Sequence, residues 1–177
     1  MKKFLAIFGA MAISFAANAQ DGTVNFANSA FTPGTGVLDA PVFDVDGTTP
    51  LPGAGFTVGL YGGATGGSLS LLGTTTISDG YFSVGNAVSV TGVTAGGAAD
   101  IQVKVFNGSD FASSMIRGES TVFSVNTGNA GSPPSSPANL FGLTSFSVMN
   151  VAAVPEPTTV ALGVMGGLGL LFRRRKS

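Results

Sequence analysis

Between Gly22 and Asn150 the apolar residues come in short runs at every second position, and each run stops at Gly, Asn, Asp or Pro. A period of two is that of a half-buried strand, and no stretch here sustains the 3.6-residue period of an amphipathic helix. Val24 and Phe26 begin the series. Val37 to Phe43 follows, interrupted by Pro41, which suits an edge position because proline has no N–H for a ladder. Phe56, Val58 and Leu60 alternate, and Leu69 to Ile77 is a threonine-rich extended run. Asp79-Gly80 is a hairpin-turn signal, followed by Tyr81, Phe82 and Val84 and then by Val88 and Val90. Ile101, Val103 and Val105 alternate around Gln102 and Lys104 as the clearest half-buried strand. Val122, Phe123 and Val125 make another, and Phe141, Leu143, Phe146 and Val148 close the series.

This pattern predicts eight or nine short strands with turns every ~8–12 residues, the signature of a sandwich or barrel. The expected fold class is all-β: a single β-sandwich over 20–150, immunoglobulin-like or jelly-roll-like, flanked by an N-terminal signal helix and a C-terminal transmembrane helix. Gly131-Ser132-Pro133-Pro134-Ser135-Ser136-Pro137 reads as a loop, with Leu140 to Val148 returning as a final strand. No strong internal repeat is visible.

The two ends differ from the middle. Lys2 and Lys3 precede an apolar run from Phe4 to Phe15, and Ala17-Asn18-Ala19 is a small-x-small site. This order predicts a secretory signal peptide over 1–19, cut between Ala19 and Gln20 by signal peptidase after passage through the export machinery. At the other end come Val154-Pro155-Glu156-Pro157, an uncharged stretch from Thr158 to Phe172, then Arg173-Arg174-Arg175-Lys176 and Ser177. The prolines stop a helix from extending backwards, and Glu156 suits the positive end of a helix dipole. Four cations favour the cytoplasmic side, so export would stall with the β-domain outside. The 15 uncharged residues are fewer than the ~20 of a standard span. Such a segment suits a handle held briefly and then removed; a permanent membrane anchor is the alternative. Gly163 and Gly167 have the spacing of a helix-dimer face, a pattern that chance often supplies in a glycine-rich span.

This three-part order resembles the PEP-CTERM sorting signal. The resemblance implies recognition by the membrane transpeptidase exosortase, processing near the Pro-Glu-Pro motif, and delivery to the cell surface or extracellular polymer matrix. With the readings above, the chain divides into a signal peptide (1–19), a β-sandwich domain (20–150), a linker with the motif (151–157), a transmembrane sorting helix (158–172) and a basic cytoplasmic tail (173–177). The phrases Phe56-Thr57-Val58-Gly59-Leu60-Tyr61-Gly62-Gly63 and Arg117-Gly118-Glu119-Ser120 resemble β-sandwich domains found in front of such tails, for which no catalytic activity is implied.

Composition narrows the function. There is no cysteine or histidine, so disulfides, thiolate metal sites, Cys nucleophiles and Ser-His-Asp triads are excluded. Charged residues make up 10% of the chain, far below the usual ~25%, so the solvated surface is mostly neutral-polar. From Gln20 to Val154 eight acids face only Lys104 and Arg117, a net of −6, the wrong sign for nucleic acid. Asp44-Val45-Asp46-Gly47 with Asp39 nearby is the one acidic cluster. Alternate carboxylates before a glycine could contribute to a calcium site, but the twelve-residue calcium loop is not completed, and a polar turn is the simpler reading. A glycosidase pair would have to come from Asp39, Asp44, Asp46, Asp79, Asp100, Asp110 and Glu119, most of which sit beside turn residues. A Ser-Lys dyad would need Lys104, which alternates on the solvent face of a strand. Asn107-Gly108-Ser109 fits a glycosylation sequon and reads as a hairpin turn. The expectation is a non-enzymatic surface or matrix protein of structural or adhesive type, with no required cofactor. The alternative is a secreted polysaccharide- or calcium-binding module.

Overall fold

The computed structural model of the chain describes residues 20–131 and 133–151. Every regular element among them is a strand. In chain order these are β1 Asp21–Ala27, β2 Ser29–Thr32, β3 Gly36–Asp39, β4 Val42–Phe43, β5 Thr57–Ala64, β6 Ser70–Thr76, β7 Ser83–Thr94, β8 Ala98–Phe106, β9 Ile116–Glu119, β10 Phe123–Asn126, β11 Ala138–Asn139, β12 Phe146–Ser147 and β13 Met149–Asn150. The predicted signal helix and sorting helix lie outside the described residues.

Two main sheets form a sandwich-like core. One has the order β11-β1-β7; the other runs β13-β9-β8-β5-β6, with β10 also on β8. The pairs β2–β3 and β4–β12 complete the strand pairing among the described residues, β4–β12 and β1–β11 being parallel. Alternation does what the sequence pattern predicts. Val24 and Phe26 of β1, Val58 and Leu60 of β5, Val90 of β7, and Ile101, Val103 and Val105 of β8 are all fully buried. Each such side chain contributes about 1.5–3 kcal/mol on burial. The Phe26 ring packs on Phe82 at 5.2 Å between centroids, tilted by 57°.

β9 and β10 share one edge of β8 as an interrupted strand. Glu119 lies opposite Lys104 and Phe123 opposite Ile101. Ser120 bridges the gap. Its N–H donates to the Val103 carbonyl (2.9 Å), and its Oγ accepts from the Val103 N–H (3.0 Å). A side chain thus stands in for the missing ladder acceptor.

The Asp79-Gly80 signal becomes a two-residue turn with reciprocal Ser78–Tyr81 backbone bonds of 2.9 Å. Both central residues have positive φ, 50° and 80°, as a type I′ turn requires. This turn is docked on its neighbours: the Gly80 carbonyl accepts from Val42 N–H (2.9 Å), and Gly80 N–H donates to the Leu51 carbonyl (3.0 Å).

Several strand expectations are corrected. The run Val37 to Phe43 is two strands, divided at Ala40-Pro41 and paired with different partners. The separate runs around Val84 and Val88 are one strand, β7, whose first half is largely exposed and so lacks a continuous apolar pattern. Leu140 to Val148 is not a single strand. A turn with Leu143 N–H donating to the Leu140 carbonyl (2.9 Å) breaks it, leaving β12 alone at its end. Asn107-Gly108-Ser109 opens a longer loop, closed where Asn107 N–H donates to the Ile116 carbonyl (3.1 Å), and is not a tight hairpin.

Candidate functional site

An open groove of about 870 Å³ crosses the outer face of the three-stranded sheet. Its position follows from the strand alternation. Val24 and Phe26 point into the core, so Asn25 between them points out. Register then places Asn139 of β11, Asn25 of β1 and Ala87 of β7 in one row. The tip of the β2–β3 hairpin, with Phe31 and Thr32, walls one side, and Ser124 to Asn126 of β10 and Phe141 also contribute.

The row is wired. Asn25 Nδ2 donates to Asn139 Oδ1 (2.9 Å), and Asn139 Nδ2 donates to Thr32 Oγ1 (2.7 Å). Each amide carries both donors and an acceptor, so the chain of bonds fixes which way each one faces. Asn25 Oδ1 and the Thr32 hydroxyl hydrogen are left without a partner among the described residues. Asn86 and Asn126 add two exposed amides. Among the described residues, not one that lines the groove is ionisable. Phe31 is 71% exposed, as is its cross-strand partner Val37.

The acidic residues singled out from the sequence do not converge. Asp46 closes its own turn: Oδ1 accepts from Thr48 N–H (2.9 Å) and Thr49 N–H (2.8 Å), and Oδ2 from the Thr49 hydroxyl (2.6 Å). Those bonds, the Thr49 hydroxyl first, lower its pKa to about 2. Asp44 Oδ1 accepts from Val45 N–H (2.7 Å). Asp39 is used elsewhere, accepting from the Tyr81 hydroxyl (2.9 Å), which raises the tyrosine's pKa. Among the described residues no three carboxylates are grouped as metal ligands. We therefore expect the melting temperature to be the same in millimolar calcium and in chelator. A site held at a hundredfold excess over its Kd would add about 2.7 kcal/mol. A rise of several degrees in a thermal scan would restore the loop as a calcium site.

Asp100, Asp110 and Glu119, and the cations Lys104 and Arg117, have structural partners. Asp110 caps the loop before β9 through Ser113, first by its hydroxyl (2.6 Å) and then its N–H (3.0 Å), which lowers the pKa. Asp100 accepts from the Ser124 hydroxyl and from Gly66 N–H (2.8 Å), with the same direction of shift. Lys104 pairs with Glu119 at 2.9 Å and lies 4.6 Å from the Phe111 ring centroid, over its face. Arg117 lies over the same ring at 5.1 Å and donates to the Phe111 carbonyl (2.7 Å).

Of the processing residues, Ala17 and Ala19, Val154 to Pro157, and Arg173 to Lys176 lie outside the described residues. Gln20 is the first described residue, and its carbonyl accepts from Ala95 N–H (2.8 Å). At the far end Val151 N–H donates to the Met115 carbonyl (2.7 Å), so the domain holds the chain up to that point. The relay of Asn25, Asn139 and Thr32 escapes a reading of the sequence, since Asn25 and Asn139 stand 114 positions apart. The only local signal is a polar residue between two core residues.

Residues 153–176 match the family model of the PEP-CTERM protein-sorting motif. That segment marks an exosortase-sorted protein, exported to the cell envelope or the exterior. No curated protein and no solved structure matches the chain.

Proposed function

We propose that this chain is a non-enzymatic surface or matrix protein of adhesive or structural type, delivered by signal peptidase and exosortase in succession. The observation that carries the reading is the position of the sorting motif. It begins two residues after Val151, where the β-domain releases the chain. The domain is then cargo, and residues 152–157 are the strap on which processing acts. Thr158 to Phe172 serves as a temporary membrane helix, with Arg173 to Lys176 on the cytoplasmic side. The two unequal sheets suit an immunoglobulin-like or jelly-roll-like sandwich.

The chemistry of the domain supports a role in contact rather than turnover. Asp46 and Asp110 close turns, Asp39 accepts from Tyr81, Glu119 pairs with Lys104, and the chain has no histidine to act as a base. The rival reading is a secreted binding module for polysaccharide or calcium. The engagement of both Asp46 oxygens in its own turn weighs against calcium.

Intact mass of the protein recovered from its own host's envelope and medium tests the delivery. The expected species starts at Gln20 and ends near Pro155 to Pro157. A mass that retains Arg173 to Ser177 would make the tail a permanent anchor and remove exosortase from the account.

A further inference from the structure

We propose that the groove across the outer face of the β11-β1-β7 sheet binds an uncharged polysaccharide chain. This names a contact partner for the adhesive role, the same polymer that the rival binding module would take, and so rests on the reading of the domain as a contact surface.

The first argument is charge. Among the described residues no ionisable side chain lines the groove, and the domain around it carries net negative charge. An anionic polymer would meet repulsion and find no cation. The only two cations of the domain, Lys104 and Arg117, are engaged elsewhere, with Glu119 and with the Phe111 ring and carbonyl. A basic polymer would find no carboxylate in the lining. What remains is a neutral ligand rich in hydrogen-bonding groups.

The second argument is functional-group matching. A sugar hydroxyl both donates and accepts, and the C–H face of a pyranose ring is apolar. The relay from Asn25 through Asn139 to Thr32 presents one acceptor, Asn25 Oδ1, in a fixed orientation and one rotatable donor, the Thr32 hydroxyl, neither with a partner among the described residues. Such preorganisation lowers the ordering cost of binding. Asn86 and Asn126 extend the same chemistry along the groove. Phe31 offers an exposed ring at the rim, where a sugar face can lie against it.

The third argument is shape. A volume of about 870 Å³ falls within the ~300–1,000 Å³ of ligand clefts. The groove is open, as a polymer without free ends at the site requires.

The test uses the full chain in a zwitterionic, sugar-free detergent. Its migration is followed in native gels containing dextran, galactomannan, laminarin, hydroxyethyl cellulose or alginate. We expect retardation by at least one neutral polymer and none by alginate. Phe31→Ala and Asn86→Ala alter exposed side chains and leave the fold intact. Each is expected to weaken the retardation about tenfold, the scale of one lost hot-spot contact. No retardation by any neutral polymer, equal retardation by alginate, or full retention of binding in both variants would overturn the site. So would a concentration-dependent dimer abolished by Phe31→Ala, which would assign the groove to a second copy. A protein trimmed at the Pro-Glu-Pro motif that binds no neutral polymer loses only the glycan site. An untrimmed protein that still binds loses only the delivery reading.

Discussion

Replacing Asn28 with alanine is expected to lower the melting temperature by at least about 10 °C. Asn28 is fully buried at the bend between β1 and β2. Its Nδ2 donates to the Ala40 and Gly80 carbonyls, both at 2.9 Å, and its Oδ1 accepts from Phe82 N–H at 2.9 Å. Its own backbone joins the same partners, donating to the Phe82 carbonyl (3.3 Å) and accepting from Ala40 N–H (3.0 Å). One side chain thus ties β1 to the β3–β4 junction and to the type I′ turn before β7. Truncation leaves Phe82 N–H buried without its acceptor and takes a donor from each of two carbonyls. An orphaned buried group costs about 1–3 kcal/mol, so the sum is roughly 3–5 kcal/mol. For a domain of this size 1 kcal/mol moves the midpoint by roughly 3–5 °C.

Asn28→Asp separates hydrogen bonding from volume. Aspartate fills the same space and can accept from Phe82 N–H, yet it cannot donate to the two carbonyls when ionised. Burial raises a carboxyl's pKa, so the variant should be least stable at neutral pH and recover as pH falls through the raised value. The exposed Asn126→Ala is the control and should stay within about 0.5 kcal/mol of wild type. A wild-type melting curve for Asn28→Ala would show that the β1–β2 corner is held by apolar packing alone. Since the hairpin of β2 and β3 walls the groove, a real loss at Asn28 should weaken binding there as well.

These two asparagines show where the sequence stops informing. β1, β5, β8 and β10 are legible because burial of one face forces alternation, and alternation is local; β6 is legible only as a threonine-rich extended run, since none of its residues is buried. The Asp79-Gly80 turn is legible because the two residues that tolerate positive φ stand side by side. Nothing local distinguishes Asn28, a hub, from Asn126, a surface residue, because the difference lies in carbonyls 12 and 52 positions away. β9 is illegible in the sequence for a related reason. Ile116-Arg117-Gly118-Glu119 has one apolar residue and no alternation, and it is a strand because β8 and β13 pair with it. The groove needs three strands and a hairpin in register before it exists, so composition only hinted at a neutral-polar surface. The sorting segment is the opposite case, since its order of parts is itself linear.

Gly118→Val is expected to detach the last strands of the domain and to cost about 3 kcal/mol. Gly118 lies in β9 where β12 passes directly over it. A Cβ there would overlap the Ser147 carbonyl oxygen and stand 2.9 Å from Val148 Cα. These are backbone atoms, so no rotamer change can relieve the contact. Either β9 leaves β8 or Phe146 to Asn150 leave β9, and the second path breaks fewer bonds. β9 is held to β8 across Lys104, Val105 and Phe106, with the Lys104–Glu119 pair outside. The final segment is held by two-residue pairings to β4 and β9, by Val148 N–H on the Phe43 carbonyl (3.0 Å), and by buried Val148. Overpacking costs about 1–3 kcal/mol where a core can adjust, and loss of the Val148 contacts adds to it. Hydrogen exchange should therefore show early loss of protection at Val148 and Val151, whose amides serve Phe43 and Met115, while β5 and β8 stay protected until global unfolding. Uniform loss of protection would mean that the closing strands are part of the cooperative core. An unchanged melting temperature would mean that β12 does not pass over Gly118 at all.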